Sequence, residues 1–169
     1  MTSTISGHRI IFDRDNYATI VIDSLKYLRE KRYMKLYSFV LMPNHIHILL
    51  KAIDGSTINE IAQKLHSYTG HALLAQMRNE KDWGLLKYFK EFAYYSKNDR
   101  SHCFWYDALV RSIVDERSVF RFMEYIHSNP FNKKCELVKD RSEYKYSSAC
   151  YYDSGIQSII EVDDVREEC

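Results

Sequence analysis

Between Tyr37 and Leu50 the chain reads Tyr-Ser-Phe-Val-Leu-Met-Pro-Asn-His-Ile-His-Ile-Leu-Leu, two apolar runs separated only by Pro43-Asn44. Aromatic and β-branched residues suit a pleated, half-buried surface and Pro-Asn is turn chemistry, so the segment predicts a hairpin with strands at 35–42 and 45–51. Side chains alternate across a strand, which puts His45, His47 and Leu49 on one face and Ile46, Ile48 and Leu50 on the other. Same-face neighbours lie about 6.6–6.8 Å apart, a spacing that lets two imidazoles converge on one divalent ion. Imidazole suits zinc, iron, manganese and, with oxygen ligands added, magnesium, so the pair alone does not name the ion. Two histidines at a strand end that only bond to backbone give the same pattern, and both readings stay open on this motif by itself.

A length of 169 residues predicts one domain over 1–169, with a single core and an acidic C-terminal tail over 153–169. Hydrophobic residues make up 46% and charged residues 28%, the proportions of a globular protein, and no apolar run reaches the ~18 residues of a membrane span. Met1 to His8 has neither a basic start nor an apolar stretch, so the expected compartment is the cytoplasm. Cys103, Cys135, Cys150 and Cys169 are too far apart for a Cys-x-x-Cys knuckle and read as reduced, structural residues. The net charge of +1 hides an asymmetry: Glu161, Asp163, Asp164, Glu167 and Glu168 against Arg166 give the last nine residues −4, leaving +5 on residues 1–160. A mildly basic body is compatible with phosphate contacts, and equally with an ordinary solvated surface.

Arg9 to Phe12 predicts a first strand, and the helical spacing of Ile20, Ile22, Leu25, Tyr27 and Leu28 predicts a helix opening at Asp13 or Asp15 and closing near Lys31. After the hairpin, Asp54-Gly55-Ser56 breaks the pattern; Ser56 or Thr57 can cap a long helix, with Glu60 placed for a capping box. Residues 83–97 predict a further helix, Cys103 to Arg111 a fourth strand, and Asp115 or Ser112 caps a last helix that ends before Pro130. The resulting fold class is α+β: a ferredoxin-like β-α-β-β-α-β antiparallel sheet with helices on one face, the third strand lying centrally, and an additional C-terminal helix that bears Tyr125.

On that last helix Tyr125 and Asn129 stand one turn apart on the same side, with Val119, Phe122 and Ile126 as the docking stripe. A phenol there can point across to the histidine strand, and the Asn129 carboxamide can offer a hard oxygen. Fourteen tyrosines in the chain make packing the ordinary fate of any one of them, so Tyr125 is not singled out by its type.

Taken together, Met42-Pro-Asn-His45-Ile-His47 with Ile48-Leu49-Leu50, Phe104-Trp105, Tyr125-Ile-His-Ser-Asn129-Pro130 and Tyr144-Lys-Tyr-Ser147-Ser148-Ala149 resemble the single-tyrosine HUH transposases of the insertion-sequence-200 group. Within the group the chain looks most like the REP-associated tyrosine transposases, whose tyrosine motif ends in Asn-Pro. The resemblance runs over about residues 9–152, loosest at 83–102, and its first strand is shorter than is usual in the family. It implies His45 and His47 as metal ligands, Asn129 as the third ligand, Tyr125 as the nucleophile, and Mg²⁺ or Mn²⁺ as the ion. The activity it implies is cleavage and rejoining of single-stranded DNA near hairpins through a 5′-phosphotyrosine, by a monomer or a homodimer with shared sites.

Other His-x-His enzymes fit less well. Metal hydrolases on α/β barrels need about 250 residues, and cupin-type sites need a glutamate that Ile48 to Asp54 does not supply. The alternative of a different class is a non-catalytic module that keeps the fold to bind nucleic-acid hairpins, with Tyr94, Tyr95 and Trp105 stacking on bases; core packing is the competing use of those rings. Tyr68, beside His66 and His71, is the reserve nucleophile.

Overall fold

In the computed structural model, which describes residues 1–53, 55–96, 101–132 and 136–168, the regular elements are β1 (Thr2–Ile5), α1 (Asp15–Glu30), β2 (Met34–Met42), β3 (His45–Ala52), α2 (Ile58–Asn79), α3 (Trp83–Tyr95), β4 (Trp105–Leu109), α4 (Glu116–Ser128) and α5 (Ala149–Ser154). Asp54, Cys135 and Cys169 lie outside the described residues; Cys103 is buried. The strands form one antiparallel sheet in the order β2-β3-β1-β4, the ferredoxin-like arrangement with β3 inside the sheet.

The alternation of the hairpin builds two cores, one on each face. Phe39, Leu41, Ile46 and Ile48 face α1 and α2, where they meet Val21, Leu25, Ile61 and Leu65. Val40, Met42 and Leu49 face the other way, against Met123 and Ile126 of α4. An irregularity in the β2–β3 register between Leu36 and Ser38 inserts one extra residue, so Leu36 and Phe39 share the first core while Tyr37 and Val40 share the second. Each fully buried side chain of this size contributes about 1.5–3 kcal/mol.

α2, α3 and α4 begin at side-chain caps, whereas α1 has none at Arg14. Thr57 and Glu60 form the expected capping box, with Glu60 N–H donating to Thr57 Oγ1 at 3.2 Å and Thr57 N–H to Glu60 Oε2 at 2.8 Å. Asp115 caps α4, accepting from Ser118 N–H at 2.9 Å. Among the described residues no helix is long and apolar enough to cross a membrane.

Two expectations need correction. The first strand is Thr2–Ile5, not 9–12: Ile11 and Phe12 are buried, but both their N–H groups converge on the Pro43 carbonyl, at 2.9 and 3.0 Å. They plug the end of the first core beneath the hairpin turn and join no ladder. The docking stripe of α4 is Val119, Met123, Ile126 and His127, with Phe122 half-buried beside it.

The acidic tail is folded onto β2, the rim of the sheet. Asp163 exchanges two hydrogen bonds with Leu36, its N–H donating to Leu36 O at 2.8 Å and its Oδ2 accepting from Leu36 N–H at 2.8 Å. Arg29 pairs with Asp163 and Glu161, each at 3.0 Å. Val165 enters the second core, and Glu168 accepts from Lys35, Tyr37 Oη and Lys51. Those partners, Lys35 first, pull the Glu168 carboxyl down to about 2.

Candidate active site

Strand alternation delivers the histidine pair to the face that α4 covers. The His45 and His47 rings are 4.8 Å apart, edge to face, and the Tyr125 ring stands 5.3 Å from His47 at 72°. Tyr125 is half exposed, at 53%, so its ring closes the site on one side and meets solvent on the other. Residues seventy-eight positions apart in the chain therefore come together within one subunit.

Two side chains that sequence reasoning missed orient the imidazoles. Thr2 lies opposite His47 in the β1–β3 register, and its Oγ1 is 2.7 Å from His47 Nδ1. The Asn44 carboxamide oxygen is 2.6 Å from His45 Nδ1 and accepts from it. His45 Nδ1–H donating to Asn44 leaves the His45 Nε2 lone pair for a metal, and His47 Nε2 is left likewise in the tautomer that donates Nδ1–H to Thr2. Asn44 was legible as part of the turn; Thr2 was not, because placing the first strand at 9–12 removed it from the sheet.

Burial sets the charge of the pair. It pushes His47 down to about 4, helped by His45 and the N-terminal amine, and it lowers His45 with a smaller contribution from His8. Both rings are neutral at pH 7, the form that ligates. Among the described residues no group of three or more His, Cys, Asp or Glu side chains could hold a metal. A cation here would draw its remaining ligands from oxygens such as that of Asn129, whose Nδ2 donates to the Tyr125 carbonyl at 2.7 Å. Two imidazole nitrogens with added oxygen ligands suit several divalent ions and do not name one.

A groove of about 1120 Å³ runs from His47 and Tyr125 along α4 to the segment after β4. Its cations are Lys51, Arg111 and Arg121, and its apolar wall includes Leu109, Val119 and Phe122; Asp115, Glu116 and Glu168 also line it. Arg111 and Arg121 were not picked out in the sequence, where nothing local marks a groove cation.

The remaining candidates lie elsewhere. Tyr68 is exposed on α2, whose buried side packs on the opposite face of the sheet, and so is separated from the histidine pair. Trp105 is core, donating its Nε1–H to Thr69 Oγ1 at 2.8 Å, whereas Tyr94 and Tyr95 are 79% and 78% exposed and are not core.

Residues 5–129 match the family described as Transposase IS200 like. The chain belongs to the IS200-like transposase family. Among solved structures it is similar to a REP-associated tyrosine transposase bound to a REP hairpin, with a TM-score of 0.61 and 15% identity over 97% of this chain and 84% of that one. At that identity the likeness speaks for the fold alone. No curated protein sequence matches the chain.

Proposed function

We propose that this family member cleaves and rejoins single-stranded DNA near hairpins, with Tyr125 as the nucleophile. The observation that carries the reading is the Tyr125 ring standing 5.3 Å from His47 on the one face of the sheet where two metal-competent imidazoles meet. His45, His47 and the Asn129 carboxamide would hold a divalent ion, Mg²⁺ or Mn²⁺, which when bound supplies Lewis-acid polarisation of the scissile phosphate. Tyr125 Oη bonds to phosphorus as the bond to the 3′ oxygen breaks, leaving a 5′-phosphotyrosine and a free 3′-hydroxyl. The phenol gives up one proton and the departing oxygen gains one. One phosphodiester is exchanged for another, so a later 3′-hydroxyl can reseal the strand with no nucleotide cofactor. Lys51, Arg111 and Arg121 in the groove suit the phosphates of the strand being cut. Because the phenol and both imidazoles belong to one chain, the reading needs no second subunit.

A fluorescent single-stranded hairpin oligonucleotide incubated with Mn²⁺ tests this. The wild-type protein is expected to form a covalent adduct on a peptide containing Tyr125, and Tyr125→Phe to form none while still binding the hairpin. An adduct on another tyrosine, or adduct formation surviving in Tyr125→Phe, refutes the assignment. A second reading, a hairpin-binding module without catalysis, is favoured by the exposure of Tyr94 and Tyr95, whose rings suit base stacking. Binding with no adduct from the wild-type protein selects it.

A further inference from the structure

The segment Tyr144 to Ala149 takes no part in the site, yet it touches the element that carries the tyrosine. Residues 144–148 lie along the outer edge of β2: Leu41 N–H donates to Tyr146 O at 2.9 Å, Ser148 N–H to Phe39 O at 3.1 Å, and Tyr144 Oη to Leu41 O at 2.9 Å. Ser148 Oγ accepts from Phe39 N–H at 3.0 Å, reaches Phe39 O at 3.3 Å, and lies 2.8 Å from His127 Nε2. A hydroxyl has one hydrogen and two lone pairs. An Nε2–H donated by His127 fills the second lone pair while the hydroxyl hydrogen goes to Phe39 O, so every capacity of Ser148 is used.

We propose that His127 is a positioning residue, which sets the roll of α4 and therefore the aim of Tyr125 through its bond to Ser148; the cleavage readout rests on the proposed role of Tyr125. His127 is fully buried, and its Nδ1 has no hydrogen-bond partner among the described residues. An unpaired buried nitrogen costs stability that a leucine would not, so what the imidazole supplies is direction. The apolar contacts of Met123 and Ile126 with the sheet are non-directional and tolerate roll, whereas a hydrogen bond weakens steeply with angle. Arg141 adds an outer tie, pairing with Glu124 of α4 at 2.6 Å and with Asp153 at 2.7 Å, but at the solvent edge. Tyr125 and His127 stand about 200° apart at ~100° per residue, so the bond at the back of the helix governs the ring at its front. A roll of ~10° shifts a side-chain tip ~6 Å from the axis by ~1 Å, and a misplacement of that size can cost about 100-fold in rate.

His127→Leu, His127→Gln and Ser148→Ala test the inference in the full chain, because glutamine places an N–H near the Nε2 position and leucine does not. Three readouts are compared: the single-turnover rate of adduct formation with a hairpin oligonucleotide and Mn²⁺, the affinity for that hairpin, and amide hydrogen exchange. His127→Leu and Ser148→Ala are expected to slow adduct formation by about 100-fold with affinity within about twofold, and His127→Gln to recover most of the rate. The α4 amides should lose protection in the two slow variants while those of α1 and α2 keep it. If His127→Leu does not fold, Ser148→Ala carries the test. Wild-type rates in both variants overturn the proposal, as does a His127→Gln as slow as His127→Leu beside a fast Ser148→Ala. Should the wild-type protein form no adduct, the function proposed above fails, and the exchange experiment still decides: unchanged α4 protection in Ser148→Ala overturns the positioning role.

Discussion

His127 gives the fold a dependence on acid that can be calculated. Burial holds this imidazole down to about 4, with Arg141 contributing, against an ordinary value of 6.5. Between those two values the unfolded chain binds a proton at this position that the folded chain does not, so stability rises with pH across the window and is complete above 6.5. Each such histidine adds a slope of ~1.4 kcal/mol per pH unit, and the whole drop to pH 4 removes about 3 kcal/mol, a large part of the ~5–15 kcal/mol of a typical domain. His47, also held near 4, adds a second slope of the same sign, and His45 a further one. Urea unfolding of the metal-free protein at intervals from pH 7 to pH 4 measures the sum. In His127→Gln the slope between pH 6 and pH 5 should fall by ~1.4 kcal/mol per pH unit relative to wild type. Equal slopes in the two proteins would mean that His127 takes up its proton in the folded state as readily as in the unfolded one, and the assignment of a buried, neutral imidazole would be wrong.

Two further outcomes follow from the packing. Thr2→Val removes the partner of His47 Nδ1 and is expected to weaken Mn²⁺ binding, read by calorimetry, by about 10–100-fold with little change in melting temperature; affinity equal to wild type would deny Thr2 an orienting role. Met123→Ala opens the contact between α4 and the sheet and should cost about 2–5 kcal/mol in chemical denaturation, with the α4 amides the first to lose exchange protection.

The elements that the sequence announced are those whose signals are local. The hairpin shows in its alternation and its Pro-Asn turn, α2 in Thr57 and Glu60, and α4 in Asp115 and Pro130, each set by contacts within a few residues. β1 was hidden because Thr-Ser-Thr-Ile offers one large apolar residue, while Arg-Ile-Ile-Phe offers three. What makes a strand of the former is its pairing with β3 and β4, a long-range cause that no window of sequence contains. The same holds for the phase of the α4 stripe, which the second core decides by accepting Met123 ahead of Phe122. Of the candidate site, the imidazole pair was legible from strand geometry, and Tyr125 from its place on the last helix together with the family resemblance. Thr2 and the groove arginines belong to segments that carry no motif, and Ser148 lies in a motif that does not announce its bond to His127.

An exposed strand margin is adhesive, since its unmet N–H and C=O groups will template another chain. In this molecule the margin of β2 is sealed from within by Tyr146, Ser148 and Asp163. Self-association by strand addition is thereby turned away from that side of the sheet. The same seal holds the back of the tyrosine helix through Ser148, so a cut or a substitution that peels it away would loosen α4 and bare a sticky rim in one event.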